Sequence, residues 1–472
     1  MEGRLKHRSL KQPDRARSPL PGGPEPRALI VGLGRSGIWA ARYLAAEGAR
    51  VTVTDIRDKS EFDPVILGEL MEAGVELEAG GHREETFLRA DFIVLSPGVP
   101  HDAGPVRSAV EKKIPVFGEM ELASRFVKAP IIAVTGTNGK TTVTTFIGRM
   151  LENAGFRVFL GGNIGTPLAA HVAEGQEVDY LVLEVSSFQL DTIQSFSPLI
   201  SIILNISPDH LERYPDYDAY VRSKLRIYEN QGPGQYLIMN HNDQTLSSIR
   251  PRSGVSLLAY GLEKKEGLHA FLEGDMISAG LPPPKMESFS LDQFILPGAH
   301  NRENLLGAVL AGMVLGVDPA AIQKTINRFK GLPHRLEYAG TKRGVLFYND
   351  SKATNVDAAI KGVRSFNRPL ILVAGGRHKG ADYAPLVRAC ASRVKGAVFL
   401  GEAREILAES FRGTVPFSFA RTMEEAVSSA FLAADEGDVV LLSPACSSFD
   451  MFSDYRHRGR VFREAVEALS NG

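Results

Sequence analysis

Eight consecutive residues, Thr135-Gly136-Thr137-Asn138-Gly139-Lys140-Thr141-Thr142, carry the clearest chemistry in this chain. They follow the apolar run Ile131-Ile132-Ala133-Val134 and lead into a stretch with helical patterning, Val143 to Asn153. Strand, glycine turn, Lys-Thr and helix is the order of a phosphate-binding loop. Backbone N–H groups of the turn point at phosphate oxygens, the lysine ammonium reaches the terminal phosphates, and the threonine hydroxyl ligates Mg²⁺. The standard spacing places a glycine where Val134 stands, so the loop is a shorter version beginning at Thr135-Gly136. A glycine turn that binds nothing is the bland alternative, and the buried-type strand directly before Gly-Lys-Thr-Thr weighs against it.

A phosphate loop needs metal ligands. Glu184 closes the apolar run Tyr180-Leu-Val-Leu-Glu184, where an acidic residue commonly assists Mg²⁺. His210 follows the run Leu199 to Asn205 and Pro208-Asp209. Either alone reads as a solvated or capping residue; beside a phosphate loop the two become ligand candidates. A second glycine turn, Gly32-Leu33-Gly34-Arg35-Ser36-Gly37, has Asp55 about 20 residues on and fits the dinucleotide fingerprint. Taken alone it argues for NAD.

The elements that must position these residues repeat one pattern. Apolar strands run into glycine turns at 28–34, 131–136 and 369–376. Continuous apolar strands belong to sheets covered by helices on both faces, and ligands bind at their carboxyl ends. The expectation is an α/β protein of three domains: a Rossmann-like N-terminal domain (27–120), a P-loop-type central ATPase domain (121–331) and a Rossmann-like C-terminal domain (332–472). Residues 1–26, with six Lys/Arg and then four prolines, read as a disordered basic tail. Residues 253–284 read as irregular β structure.

Composition bounds the partners. A 472-residue chain that is 44% hydrophobic and 23% charged is an ordinary globular protein of two to four domains. A net charge of −1 gives no global field for nucleic acid or an anionic membrane. Cys390 and Cys446 are too few for a disulfide framework, and no run is long and apolar enough to span a bilayer. The N-terminus lacks the apolar core of a signal peptide, so a cytoplasmic protein acting on small molecules is expected.

Further segments resemble the Mur ligase family. They are Gly161-Gly-Asn-Ile-Gly165, Leu183-Glu-Val-Ser-Ser-Phe-Gln-Leu190, Lys224-Leu-Arg-Ile-Tyr-Glu-Asn230 and Gly298-Ala-His-Asn-Arg-Glu-Asn304. Leu332-Pro-His-Arg-Leu-Glu337, Asn349-Asp-Ser-Lys-Ala-Thr-Asn355, Gly375-Gly-Arg-His-Lys-Gly-Ala-Asp382 and Ser443-Pro-Ala-Cys-Ser-Ser-Phe-Asp450 follow in the family's order. The Asn349–Asn355 block resembles the D-glutamate-adding branch. The resemblance implies ATP-dependent ligation of D-glutamate to UDP-MurNAc-L-Ala through an acyl phosphate, in peptidoglycan precursor synthesis, by a monomer.

It also implies residue roles. Gly136, Thr137, Asn138, Gly139, Lys140, Thr141 and Thr142 would hold the ATP phosphates, with Asn301 and Asn304 at adenine and Arg335 and Asp350 at phosphate and ribose. Thr141 and Glu184 would take one Mg²⁺. His210 and Lys224, the latter carrying CO₂ as a carbamate, would help take a second. Lys140, His210 and Lys224 would be the catalytic set. Gly34, Arg35, Ser36, Asp55, Arg57 and Asn163 would bind the UDP substrate. Lys352, Thr354, Lys379, Ser448 and Tyr455 would bind the amino acid, whose two carboxylates call for cations and hydroxyls. Cys446 reads as buried beside the site, with no base to activate it. Two other classes stay open on the residues: an NAD-dependent oxidoreductase built on the first glycine turn, and a non-catalytic ATP-binding regulator. So does another family member, one adding a different amino acid.

Overall fold

A computed structural model describes residues 20–100, 103–209, 213–251, 254–282 and 285–470. Its strands form three sheets. The described residues fall into two units: those within 20–206, 216–289 and 306–325 make the first, and those within 207–215, 290–305 and 326–470 the second.

The first unit holds two sheets. One is parallel throughout, in the order Glu76–Ala79, Arg50–Asp55, Arg27–Val31, Phe92–Leu95, Val116–Gly118. The other runs Lys285–Ser290, Met276–Leu281, Leu268–Glu273, Ser256–Tyr260, Tyr236–Asn240, Ile200–Ile203, Ile131–Thr135, Tyr180–Glu184, Val158–Gly162. Arg27–Val31 and Ile131–Thr135 each lie between neighbours reached by opposite-going crossovers. Their carboxyl ends are therefore the switch points where such sheets open a crevice. Both expected glycine turns leave from these ends. Parallel register sets Glu184 beside Val134 and Ile203 beside Thr135, so the acidic strand end is fixed next to the phosphate-type loop.

Three expectations are revised. The helices after the glycine turns begin at Arg35 and Lys140, three residues before the apolar periodicity of Ile38 to Glu47 and Val143 to Asn153, because the turns pass straight into the first helical turn. The stretch expected to be irregular holds three regular strands within its described residues, 254–282. Leu268–Glu273 and Met276–Leu281 form an antiparallel hairpin whose Gly274 takes φ +63°, a conformation the two-residue turn Gly274-Asp275 supplies at no steric cost. Residues 20–26 are also tied down. The Pro26 carbonyl accepts from Arg50 N–H at 2.9 Å, Glu25 pairs with Arg50, and Leu20 packs against the first sheet's core. Residues 1–19, which hold the basic run, lie outside the described residues.

Within this unit the first sheet is fastened to the second by a carboxylate. Glu121, on the helix Glu119–Ser124, is fully buried. It accepts from the N–H groups of Gln194 (3.0 Å), Ser195 (3.1 Å) and Phe196 (2.9 Å) and from the Ser195 hydroxyl (2.6 Å), and it pairs with Arg125 at 3.0 Å. Burial pushes this carboxyl up, but its bonds from Gln194 and Ser195 and the Arg125 charge outweigh burial and hold it below its ordinary 4.5. Its stabilisation is therefore present above pH 4.5 and lost as pH falls through the lower native value. Glu121→Ala strands four donors and takes the carboxylate from the half-buried Arg125, and should cost about 3–5 kcal/mol in a urea melt at pH 7, with the difference from wild type shrinking in acid. A melt unchanged at pH 7 contradicts this role.

The second unit holds the third sheet, in the order Glu337–Lys342, Val345–Asn349, Val439–Leu442, Leu370–Gly375, Val394–Leu400, Phe417–Phe419. The first pair is antiparallel and the others parallel. Leu442 stands level with both Asn349 and Val373, so three loops leave one edge together: Asp350–Thr354, Ser443–Ser448 and Gly376–Lys379. No helix among the described residues is long and apolar enough to cross a membrane.

Candidate active site

The phosphate-type loop is shaped by glycines and braced by Asn205. Gly136 takes φ +151° and Gly139, which caps the helix Lys140–Asn153, takes φ +89°. Asn205 closes the loop from the neighbouring strand end. Its side-chain oxygen accepts from Asn138 N–H at 2.9 Å, its amide donates to the Asn138 carbonyl at 3.0 Å, and its carbonyl accepts from Thr137 N–H at 2.9 Å. Gly139 offers no side-chain cap, so the N–H groups at the helix start face outward with the positive end of the helix dipole.

Two lysines converge on this loop. Lys140 Nζ donates to the carbonyls of Gly136 and Thr137, both at 2.9 Å. Lys224, 2% exposed on the helix Tyr217–Leu225, donates to the same Gly136 carbonyl at 3.0 Å and lies 4.7 Å from the Tyr220 ring. A lysine is ordinarily a surface residue, and this one is enclosed. Tyr220 in turn meets the Thr137 hydroxyl at 3.2 Å.

Glu184 is buried with both oxygens engaged. Thr141 Oγ1 donates to Oε2 at 2.7 Å and the Asn163 amide to Oε1 at 3.0 Å. A threonine hydroxyl and a carboxylate are hard oxygen donors of the kind Mg²⁺ takes, with phosphate oxygens and water completing the sphere. Among the described residues no cluster of three or more His, Cys, Asp or Glu could hold a metal. His210, the other expected ligand, lies outside the described residues.

The first glycine turn is held by Asp55. Leu33 N–H donates to Oδ2 at 2.7 Å, and Arg57 binds both oxygens through Nε (3.1 Å) and Nη2 (2.9 Å) and Oδ1 again through its N–H (2.9 Å). Burial opposes this charge, yet the Arg57 and Leu33 bonds hold the carboxyl down at about 2. Asp55 thus shapes the turn and aims Arg57, which stacks 4.4 Å over Phe62. Gly37 admits no side chain: a Cβ there would sit 2.1 Å from the Gly32 carbonyl. Gly34 and Arg35 stand at the start of the helix that follows.

In the second unit, three strained residues mark the loops: His334 (φ +65°), Leu336 (φ +44°) and Ala445 (φ +57°). Such backbone persists only where surrounding bonds enforce it. The His334 carbonyl accepts from Lys352 N–H at 3.0 Å, and the Ala353 carbonyl accepts from Ala445 N–H at 2.9 Å. Lys352 lies 3.9 Å over the Tyr455 ring, bringing two of the expected amino-acid contacts together. Thr354 follows in the same loop, its N–H donating to the Lys352 carbonyl. Ser448 is buried and Lys379 exposed. Burial raises Asp350 to about 7 against its bonds from Leu336 N–H and Ser443 and the nearby Arg335 charge. Asn301 donates to the Pro297 carbonyl at 2.7 Å, and Asn304 is buried one helical turn on. Burial pushes the Cys446 thiol up to about 11, so it is no nucleophile at neutral pH.

Three family models match successive stretches of this frame. A MurD-like N-terminal domain of Mur ligases matches residues 26–118, the Mur ligase middle domain 134–312, and the glutamate ligase domain of Mur ligases 334–446. A UDP-N-acetylmuramoylalanine–D-glutamate ligase of Pelotomaculum thermopropionicum is 43% identical over 450 residues, covering 94% of this chain and 98% of that protein. The enzyme of the same name from Desulfosudis oleivorans is also 43% identical, covering 94% and 97%.

The chain belongs to the Mur ligase family.

Solved structures agree at the level of fold. A pseudomurein peptide ligase type C from Methanothermus fervidus superposes with a TM-score of 0.60 at 20% identity, over 94% of this chain and all of that one. A MurF ligase from Thermotoga maritima in complex with ADP gives 0.59 at 18%, over 89% and 96%. Family membership settles the α/β, three-domain fold and an ATP- and Mg²⁺-using ligase, and sets aside the oxidoreductase that the first glycine turn suggested.

Several residues that matter were not singled out from the sequence. Asn205 braces the phosphate loop; its one signal was its place after an apolar strand. Arg458 is 1% exposed and binds Ser351, Gly375, Cys446 and Ser447, mostly through their carbonyls, so it knits the three loops of the third sheet. Nothing in a helical Tyr-Arg-His-Arg run marks one arginine as buried. Glu184→Gln should raise the Mg²⁺ concentration needed for half-maximal turnover about 10–100-fold, because the carboxylate charge is lost while the one remaining oxygen still accepts from Asn163 and the Thr141 hydroxyl turns to accept from the new amide. A Mg²⁺ titration that matches wild type removes Glu184 from the metal's surroundings.

Proposed function

We propose that this chain joins D-glutamate to the L-alanyl carboxylate of UDP-N-acetylmuramoyl-L-alanine in peptidoglycan precursor synthesis, converting ATP to ADP and phosphate. The observation that carries the reading is the convergence of Lys140, Thr141, Glu184 and Lys224 on one glycine loop, in a chain 43% identical to relatives named for that activity. A substrate carboxylate oxygen attacks the γ-phosphorus and ADP leaves. The D-glutamate nitrogen then attacks the acyl carbon, phosphate leaves with that oxygen, and the nitrogen loses a proton.

Each group has a task. Lys140 and the N–H groups of Gly136 to Thr142 hold the β- and γ-phosphates where charge develops. Thr141 and Glu184 would hold one Mg²⁺, and His210 with Lys224 a second; bound Mg²⁺ supplies charge neutralisation on the phosphates. For Lys224, a carbamate would replace two cations crowded on one carbonyl with a cation and an anion, which burial tolerates better. Asn301, Asn304, Arg335 and Asp350 bind the adenosine and phosphate of ATP. Gly34, Arg35, Ser36, Arg57 and Asn163, with Asp55 behind Arg57, bind the UDP substrate. Lys352, Thr354, Lys379, Ser448 and Tyr455 bind D-glutamate. The divisions 27–120, 121–331 and 332–472 are the corresponding domains of a cytoplasmic monomer. The test is isotopic. With ¹⁸O in the substrate carboxylate, one ¹⁸O should appear in the released phosphate; unlabelled phosphate overturns the acyl-phosphate route.

A further inference from the structure

Glu119 has no task in the reaction proposed above, yet it is a carboxyl with 2% exposure. It opens the helix Glu119–Ser124. Its Oε1 accepts from Ala169 N–H at 2.6 Å, at the first turn of the helix Leu168–Glu174, whose own cap residue, Pro167, offers no side-chain bond. The Ser36 hydroxyl faces the same carboxyl from the first turn of the helix Arg35–Ala46, which also lacks a side-chain cap. Ser36 is near enough to steady the charged form, but Oε2 meets no partner at full hydrogen-bond geometry. Burial dominates and pushes this carboxyl up to about 7. The three helices pack on one another. One carboxyl therefore stands at two otherwise uncapped helix starts, where N–H groups and helix dipoles favour an acceptor.

What precedes those two helices gives the arrangement a consequence. Arg35–Ala46 follows the turn Gly32–Gly34, and Leu168–Glu174 follows the loop Gly161–Gly165 that carries Asn163. Both are assigned above to the same UDP substrate, one from the first sheet and one from the second. A ligand held at two places binds well only if the distance between them is right, and an error near 1 Å is costly. We propose that Glu119 is a positioning residue that sets the spacing between the glycine turn at Ser36 and the Asn163 loop, and through it the affinity for the UDP-sugar substrate. This rests on the UDP reading of those two loops.

The test compares full-length wild type with Glu119→Ala and Glu119→Gln, by steady-state kinetics for all three substrates and by calorimetric titration with UDP. Glutamine keeps an acceptor for Ala169 N–H; alanine does not. Glu119→Ala should raise KM for the UDP substrate and Kd for UDP about tenfold, with kcat and the KM values for ATP and D-glutamate within about twofold, and Glu119→Gln should restore the nucleotide KM to within about threefold of wild type. If the alanine protein does not fold, Glu119→Asp, one methylene shorter, is read by the same criteria. An unchanged nucleotide KM, an equal rise for all three substrates, or a fall in kcat alone overturns the proposal. Wild-type binding of UDP tests the underlying reading separately: its absence removes the UDP assignment, whereas UDP binding that Glu119→Ala leaves intact removes only the role of Glu119.

Discussion

Lys140→Ala should lower ATP-dependent turnover by about 10³-fold or more, with the protein still folded. The lysine is the loop's own cation, and its two bonds go to the Gly136 and Thr137 carbonyls of the same loop. Losing them costs on the order of 1–3 kcal/mol, which the fully buried strand Ile131–Thr135 and the Asn205 brace can absorb. Losing the charge is far more damaging, because phosphoryl transfer has little covalent help from protein and depends on charge placed in advance. Lys140→Arg should recover little, since a planar fork does not replace a compact ammonium on a flexible stem. Turnover of either variant within tenfold of wild type, in a protein with a wild-type far-ultraviolet spectrum, removes Lys140 from the phosphate site.

Lys224→Ala should be nearly as severe, at about 10²–10³-fold, and Lys224→Arg should fail with it. The arginine comparison separates two roles. If Lys224 acts only as a cation donating to the Gly136 carbonyl, arginine keeps that charge and a donor for that one bond, unlike at Lys140, whose compact ammonium must reach phosphate. If it acts as a carbamate, arginine cannot form one and the metal loses an oxygen ligand. Carbon NMR with ¹³C-bicarbonate should show a carbamate signal in wild type that is missing from both variants. An arginine variant within about tenfold of wild type, or equal spectra, rules out the carbamate.

Much of this is legible in the amino-acid sequence. Ile131–Val134 and Leu370–Ala374 announced buried parallel strands because both faces of such strands are covered. The glycine turns announced where those strands end, and Glu184 stood where the register later placed it, beside Val134. Helix starts lie three residues ahead of the apolar periodicity, which begins only once a helix meets the core, whereas the polar first turn, Lys140-Thr141-Thr142, stays out of it. The hairpin that begins at Leu268 is faint in the sequence because short half-buried strands carry a weak period, although Gly274-Asp275 is a legible turn signal. Buried charge was the least visible. Glu119, Glu121 and Arg458 look in sequence like any solvated residue, and their burial is decided by backbone groups distant along the chain: Ala169, Gln194 to Phe196, and the carbonyls of Ser351 and Cys446.

The central claim is that two sets of groups, a phosphate site on Gly136–Thr142 and an amino-acid site around Lys352 and Tyr455, serve one amide-forming reaction. Phosphate release measured over a substrate panel tests it most directly. Release should require UDP-N-acetylmuramoyl-L-alanine, ATP, Mg²⁺ and D-glutamate together, and omission of any one should abolish it. Equal release with L-glutamate, or none with either enantiomer, contradicts the assignment.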